Sequence, residues 1–287
     1  MTRLLRCGAH TFDLARPLVM GVLNVTPDSF SDGGAFLDRE RALAHARRMR
    51  EDGADLIDLG GESSRPGADP VDEATELERV IPLVAALTRE GVAVAVDTRK
   101  PAVMRAAIAA GASMINDIAA LTAPGAVEAC AASAAGVCLM HMRGEPQTMQ
   151  HAPVYDDVVT EVRDFLVDRA AVCEAAGIAR ERIVIDPGFG FGKTRRHNLA
   201  LLRAIGVLAA TGYPVVAGLS RKRTLGDITG RAVDERLAAS IAAALAAVTR
   251  GASIVRVHDV RETVDALKVW SAIEDGARVI DRAGDDE

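Results

Sequence analysis

The chain has few cysteines and fewer aromatics than its hydrophobicity would suggest. Cys7, Cys130, Cys138 and Cys173 are scattered and form no CxxC pair. That spacing argues against the common zinc and thioredoxin-like motifs and leaves free thiols, the state expected in a reducing cytoplasm. No apolar stretch reaches the ~20 residues of a membrane span. Residues 1–15 lack the apolar core and cleavage signature of a secretory leader. The expectation is a cytoplasmic chain with no membrane partner. An excess of positive charge is also missing. Lys and Arg number 34 against 40 Asp and Glu, a formal net charge of -6, so nucleic-acid binding by phosphate neutralisation is not expected. A local Arg and Lys cluster facing an anionic substrate remains compatible with that balance. Aromatic residues make up 3% and hydrophobic residues 49%, so Ala, Val, Leu and Ile must build the core. No linker rich in Pro, Gly or Ser divides the 287 residues, and one domain spanning 1–287 is expected.

Eight strand-like runs are present, at 18–24, 55–61, 92–97, 113–117, 137–141, 183–186, 214–220 and 253–258. Nearly all end in polar or charged residues, among them Asn24, Asp58, Asp97, Asn116, His141, Asp186, Ser220 and His258. Helical spacing separates them: Leu77, Val80, Val84 and Leu87; Val158, Val162, Phe165 and Arg169; Leu237, Ile241, Leu245 and Val248. Pro82 predicts a kink or a late helix start. Gly53, Gly91, Gly111, Gly136, Gly177, Gly212 and Gly251 each fall between a helical segment and a strand, where glycine ends helices at positive φ. Strand–helix alternation gives right-handed crossovers and a parallel sheet. Eight such units favour an α/β (β/α)8 TIM barrel over an open doubly wound sheet, and its polar strand ends would converge on one catalytic face. Residues 1–15 read as an N-terminal β-hairpin plugging the barrel floor, and 281–287 as a frayed tail.

Several segments at those strand ends carry chemistry. NVTPDSFSDGG at 24–34 is either a surface loop or a mobile lid tipped by Phe30, and the Asn24 amide oxygen suits Mg²⁺. GGESSRPG at 60–67 is either an ordinary turn capped by Ser64 or a ligand loop with Ser63, Ser64 and the forked cation of Arg65. Asp97, Asn116 and Asp186 could accept hydrogen bonds from a ring with adjacent N–H and NH2 groups, such as a pterin. They could equally bind a metal, act as acid and base, or cap helices. DPGFGFGK at 186–193 is not a phosphate loop, because Pro187 stands where the P-loop needs glycine. It also misses G-x-G-x-x-G by one residue. Phe189 and Phe191 either pack on a flat ligand or belong to the core. SRKR at 220–223 is either a solvated charge run or an anion site. Arg256 and His258 alternate on one strand and so share a face, which makes an anion clamp or a pair satisfied by carboxylates. His141 is more in keeping with a structural than a catalytic histidine, and Met140 beside it offers soft contact to a ring.

Taken together, these segments resemble the dihydropteroate synthase family. The blocks are LNVTPDSFSDGG at 23–34, LGGESSRPGA at 59–68, DPGFGFGK at 186–193, GLSRK at 218–222 and RVHDV at 256–260. Their order and spacing span most of the chain, and their joint occurrence is specific. The resemblance implies a homodimeric barrel that uses Mg²⁺ to condense (7,8-dihydropterin-6-yl)methyl diphosphate with 4-aminobenzoate, giving 7,8-dihydropteroate and diphosphate for folate biosynthesis. It implies that Asn24 binds Mg²⁺, and that Asp97, Asn116, Asp186, Gly218 and Lys222 hold the pterin with Met140 and Phe191 near its faces. It further implies that Arg256 and His258, with Asn24, grip the diphosphate, and that Phe30, Ser64, Arg65, Pro66 and Ser220 build the aminobenzoate side. Lys222, Arg256, His258 and Asp97 would be the catalytic residues, and sulfonamides would compete with aminobenzoate. The chain departs from the family in having Ser64 where Thr is usual and Arg223 where a smaller residue is common. A corrinoid-dependent methyltransferase barrel would share the pterin acceptors but needs no diphosphate clamp. A non-catalytic pterin-binding paralogue would need neither Lys222 nor the Arg256–His258 pair.

Overall fold

The computed structural model describes residues 4–25, 34–63, 67, 69–145, 148–149 and 153–274, with backbone alone for 34–37. Phe30, Ser64, Arg65, Pro66 and the tail at 281–287 lie outside the described residues.

The chain begins with an antiparallel hairpin, β1 (Leu4–Cys7) and β2 (His10–Asp13). The elements β3 (Leu18–Asn24), α1 (Gly34–Glu51), β4 (Leu56–Gly60), α2 (Glu73–Arg89), β5 (Val94–Asp97) and α3 (Pro101–Ala109) follow. Next come β6 (Met114–Asp117), α4 (Ala126–Ala131), β7 (Gly136–Met140), α5 (Val158–Ala175), β8 (Ile183–Asp186), α6 (Arg195–Arg203) and α7 (Ile205–Ala209). The chain continues through β9 (Val216–Ala217), α8 (Arg223–Thr229), α9 (Leu237–Val248), β10 (Ile254–Val257) and α10 (Val260–Glu274). Eight parallel strands run β8-β7-β6-β5-β4-β3-β10-β9. A single parallel bridge between Ile185 and Val215 joins the two ends of that order, with Ile185 N–H donating to Pro214 O at 2.9 Å. This is the expected (β/α)8 barrel with its N-terminal hairpin.

Side-chain alternation divides each strand between two cores. Val19, Ile57, Val94, Ile115, Val137 and Ile183 face the helices in the larger core. Met20, Leu56, Met114, Cys138, Val184 and Ile254 form a second cluster with Leu5 and Cys7 of β1. The hairpin therefore seals the barrel floor. Fully buried leucines such as Leu5 and Leu56 each stabilise that seal by about 1.5–3 kcal/mol. Two residues further along the same parity stand Asp58, Asn116, Met140, Asp186 and Arg256, one layer above the floor. The period-two rule thus carries polar side chains to the mouth without a change of strand.

Four expectations are corrected. The run at 214–220 yields only the two residues of β9, and the chain turns further on, at Arg221, which has φ 58. α2 starts at Glu73 and runs past Pro82, so the proline does not delay it. On α9 the buried face is Ser240, Ala243, Ala244, Ala247 and Val248, while Leu237 is exposed; small residues make that contact. Gly136 begins β7 and is not a positive-φ helix end. A Cβ there would stand 2.6 Å from Cys7 Sγ, so glycine admits the hairpin.

Candidate active site

The mouth is built from strand ends in register. Gly60 of β4 lies beside Asp97 of β5, and Asp97 beside Asn116 of β6. Met140 of β7 lies beside Asp186 of β8. A Cβ on Gly60 would stand 3.5 Å from Asn24 Oδ1 and 3.6 Å from Asp97 Cβ, and one on Gly218 would stand 3.9 Å from Asp186 Oδ2 and from Arg256 Cβ. One on Gly190 would meet Lys222 Cδ at 3.3 Å. Asn24, Asp97, Asn116, Met140, Asp186, Gly218, Lys222 and Arg256 therefore gather in a single hollow, where bare glycine leaves room for a flat ligand.

Asp58, fully buried under that hollow, is its hub. Its Oδ2 accepts from Arg256 Nε at 2.5 Å and from Asn116 Nδ2 at 3.0 Å. Arg256 Nη2 reaches on to Asp97 Oδ2 at 3.2 Å. Burial and the neighbouring Asp58 push the Asp97 carboxyl up to about 8, against the pull of Arg256. Burial also raises Asp186, with Lys222, the Gly188 N–H and Arg256 opposing. Burial lowers Lys222 to about 8, although Asp186 favours its charge. Two buried carboxyls and a half-buried ammonium with shifted pKa values in one hollow mark a functional site.

The cations of SRKR are sorted by the backbone turn. Arg221 pairs with Asp259 at 2.5 Å and leaves the mouth. Arg223 is exposed and reaches Asp227 at 3.7 Å. Lys222 alone enters: its Nζ donates to Phe189 O and lies 4.5 Å from the centroid of the Phe191 ring. The two phenylalanines divide in the same way, Phe189 into the core and Phe191 toward Lys222. Ser220 and His258 share the rim, with Ser220 Oγ 3.1 Å from His258 Nδ1 and accepting from His258 N–H at 3.2 Å.

Three features escaped the sequence reading. Asp58 counted there only as a strand end, though it shares parity with Gly60. Lys193 is buried, and its Nζ lies 2.9 Å from His141 Nδ1 while donating to His141 O at 3.1 Å and Phe191 O at 2.9 Å. His141, held against Phe165 and lowered to about 3 by burial, Lys193 and Arg143, is a neutral structural histidine. Finally, Lys100 bridges Glu62, at 2.5 Å, and the buried Glu76, tying the turn after β4 to the turn after β5. Lys193 closes the DPGFGFGK block, yet only burial and pairing reveal its partners and those of Asp58 and Lys100.

Asn24 Oδ1 is the donor that the family resemblance assigns to a metal at this mouth, and the described residues hold no group of three His, Cys, Asp or Glu gathered for one. A lone amide oxygen fits Mg²⁺ that brings most of its shell from water and phosphate, and does not fit an ion caged by protein alone.

Fold and hollow together define a (β/α)8 barrel that holds a flat, hydrogen-bonding heterocycle at the C-terminal ends of its strands. The pterin binding enzyme family matches residues 20–258. The dihydropteroate synthase of Neisseria meningitidis serogroup B is 51% identical over 275 residues, covering 93% of this chain and 96% of the relative. That of Escherichia coli K12 is 50% identical over 263 residues, covering 91% and 93%. Among solved structures, Xanthomonas albilineans dihydropteroate synthase with 4-aminobenzoic acid superposes with TM-score 0.90 at 52% identity, covering 96% of this chain and 99% of that one. The chain belongs to the dihydropteroate synthase family of pterin-binding enzymes.

Proposed function

We propose that the chain condenses (7,8-dihydropterin-6-yl)methyl diphosphate with 4-aminobenzoate by a dissociative displacement, giving 7,8-dihydropteroate and diphosphate. The carbon–oxygen bond to the methylene breaks, and its electron pair leaves with the diphosphate. The pterin shares the positive charge left behind. The neutral arylamine then adds its lone pair to the methylene and loses a proton. The observation that carries this reading is the single hollow joining Asp97, Asn116, Asp186, Lys222 and Arg256. Relatives support the product and one substrate: the Burkholderia cenocepacia enzyme is solved with 7,8-dihydropteroate and the Xanthomonas albilineans enzyme with 4-aminobenzoic acid.

Asp97, Asn116 and Asp186 would hold the pterin edge, with Met140 and Phe191 on its faces, Gly218 beside it and Lys222 at its rim. Arg256 retains N–H donors beyond those engaged by Asp58 and Asp97, and these would meet the diphosphate. His258, with Nδ1 turned to Ser220, would offer Nε2 to the same group. Mg²⁺ held through Asn24 would neutralise charge on the leaving diphosphate. Phe30, Ser64, Arg65 and Pro66, with Ser220, are assigned to the aminobenzoate side through the family resemblance. Arg223 points into solvent and pairs with Asp227. The enzyme is further proposed to be a cytoplasmic homodimer. Its four cysteines are buried and unbridged, and exposed Val269 and Ile273 on α10 offer an apolar stripe to a second copy. The described residues contain no helix long and apolar enough to cross a membrane.

Mixing the chain with both substrates and Mg²⁺ should release diphosphate and form dihydropteroate in equal amounts, with sulfonamide competing against aminobenzoate. Pterin binding without diphosphate release would replace this reading with that of a non-catalytic paralogue. Light scattering should report twice the chain mass; a monomer would remove the dimer.

A further inference from the structure

A carboxamide can present either its oxygen or its amino group to a ligand, since half a turn exchanges the two. In Asn116 that choice is made by a neighbouring carboxylate. Its Nδ2 donates at 3.0 Å to Asp58 Oδ2, an oxygen that already accepts from Arg256 Nε at 2.5 Å. Turning the amide over would set Asn116 oxygen against an acceptor. Both residues are buried, Asp58 at 0% and Asn116 at 5% exposure, so water cannot readily relieve the clash. By strand register Gly60 lies level with Asp97, and Asp97 with Asn116. Two residues back on β4, Asp58 follows Leu56 of the floor cluster as Asn116 follows Met114, so the pair meet across the barrel from alternate strands. With its amino group held by Asp58, Asn116 keeps its Oδ1 free of protein donors among the described residues and open to a ligand.

We propose that Asp58 is a positioning residue that sets specificity without touching the ligand: it locks the Asn116 carboxamide with oxygen toward the hollow. The site then selects a heterocycle edge bearing an N–H donor and rejects one bearing a carbonyl. A second observation sets Asp58 apart from an ordinary structural pair. Its Oδ1 is buried and accepts no hydrogen bond among the described residues. The fold thus keeps a carboxylate here although half of its acceptor capacity goes unmet, a burden that a purely structural contact would shed.

The inference rests on the pterin reading, and its test separates the two. Calorimetry would compare a pterin with the matching lumazine, whose exocyclic carbonyl acceptor replaces the amino donor. The parent chain should prefer the pterin by on the order of tenfold or more, the scale of one mismatched buried hydrogen bond. In Asp58→Asn the new amide can donate as well as accept, so Asn116 can turn over and the preference should shrink by on the order of tenfold. A merely structural role would weaken both ligands alike, and an unchanged ratio would overturn the proposal while leaving the pterin reading intact. Failure of the parent chain to bind either ligand would overturn both. Should Asp58→Asn not fold, the parent chain still decides. The side-chain NH2 signals of Asn116 in ¹⁵N-labelled protein should keep their shifts when pterin binds, and transfer of that amino group to the ligand would sink the idea.

Discussion

At the scale of single residues the site works by opposed burial and charge. Asp186 Oδ1 accepts the Gly188 N–H at 2.7 Å, which leaves Oδ2 as the acceptor for a ligand. Asp186→Asn can keep the first bond but must turn an amino group toward a donor edge. Pterin affinity should fall roughly tenfold to a hundredfold by calorimetry, and unchanged affinity would remove Asp186 from the site. Asp97 carries a pH signature. Its folded-state pKa is raised from 3.8 to about 8, so between those values the folded chain holds a proton that the unfolded chain has released. The stability it contributes is greatest below about pH 4 and declines as the pH rises toward 8. Relative to Asp97→Asn, the parent chain should lose melting temperature between pH 5 and pH 8; a constant difference would contradict the raised value. That Asp97, Asn116 and Asp186 lie together at the barrel mouth was readable from their strand-end positions. Asp58 was not, because a carboxylate that touches only protein leaves no motif, and its role emerges from distances to residues 58 and 198 positions away.

At the scale of elements, turns rather than strands decide the chemistry. The DPGFGFGK turn is held by close backbone approach: Gly188 has φ +67, and a Cβ there would stand 2.0 Å from His141 O. Gly230 at φ +71 ends α8 with nothing within 4 Å. Gly188→Ala should therefore cost about 3 kcal/mol or more, from strain and clash together. Gly230→Ala should cost about 1–2 kcal/mol from the left-handed backbone alone. Equal costs in urea unfolding would refute the crowding argument. The sequence showed that this segment was not a nucleotide loop, yet it could not tell core Phe189 from site Phe191. That separation follows from the turn's geometry. The same holds for SRKR, where the positive φ of Arg221 sends one cation outward and the next inward.

At the scale of the whole molecule, alternation along eight strands yields a sealed floor and a polar mouth from one rule. It was legible because strands buried on both sides read as apolar runs with polar ends. The length of β9 and the small-residue face of α9 were hidden, since close packing leaves no amphipathic stripe to read. The hairpin seal is open to measurement. Leu5→Ala should lower stability by about 2–5 kcal/mol, and a loss under about 1 kcal/mol in denaturant unfolding would mean that the hairpin only rests on the barrel.

The seam between β8 and β9 has a consequence for the protein's working life. Those neighbours share one bridge, Ile185 to Val215, yet they carry Asp186 on one bank and Gly218 and Lys222 on the other. A heterocycle spanning the gap would act as a zip fastener for the cylinder, so catching the substrate and finishing the wall become one event. Amide exchange at Ile185 should slow when pterin arrives, and exchange indifferent to the ligand would show a cylinder already shut.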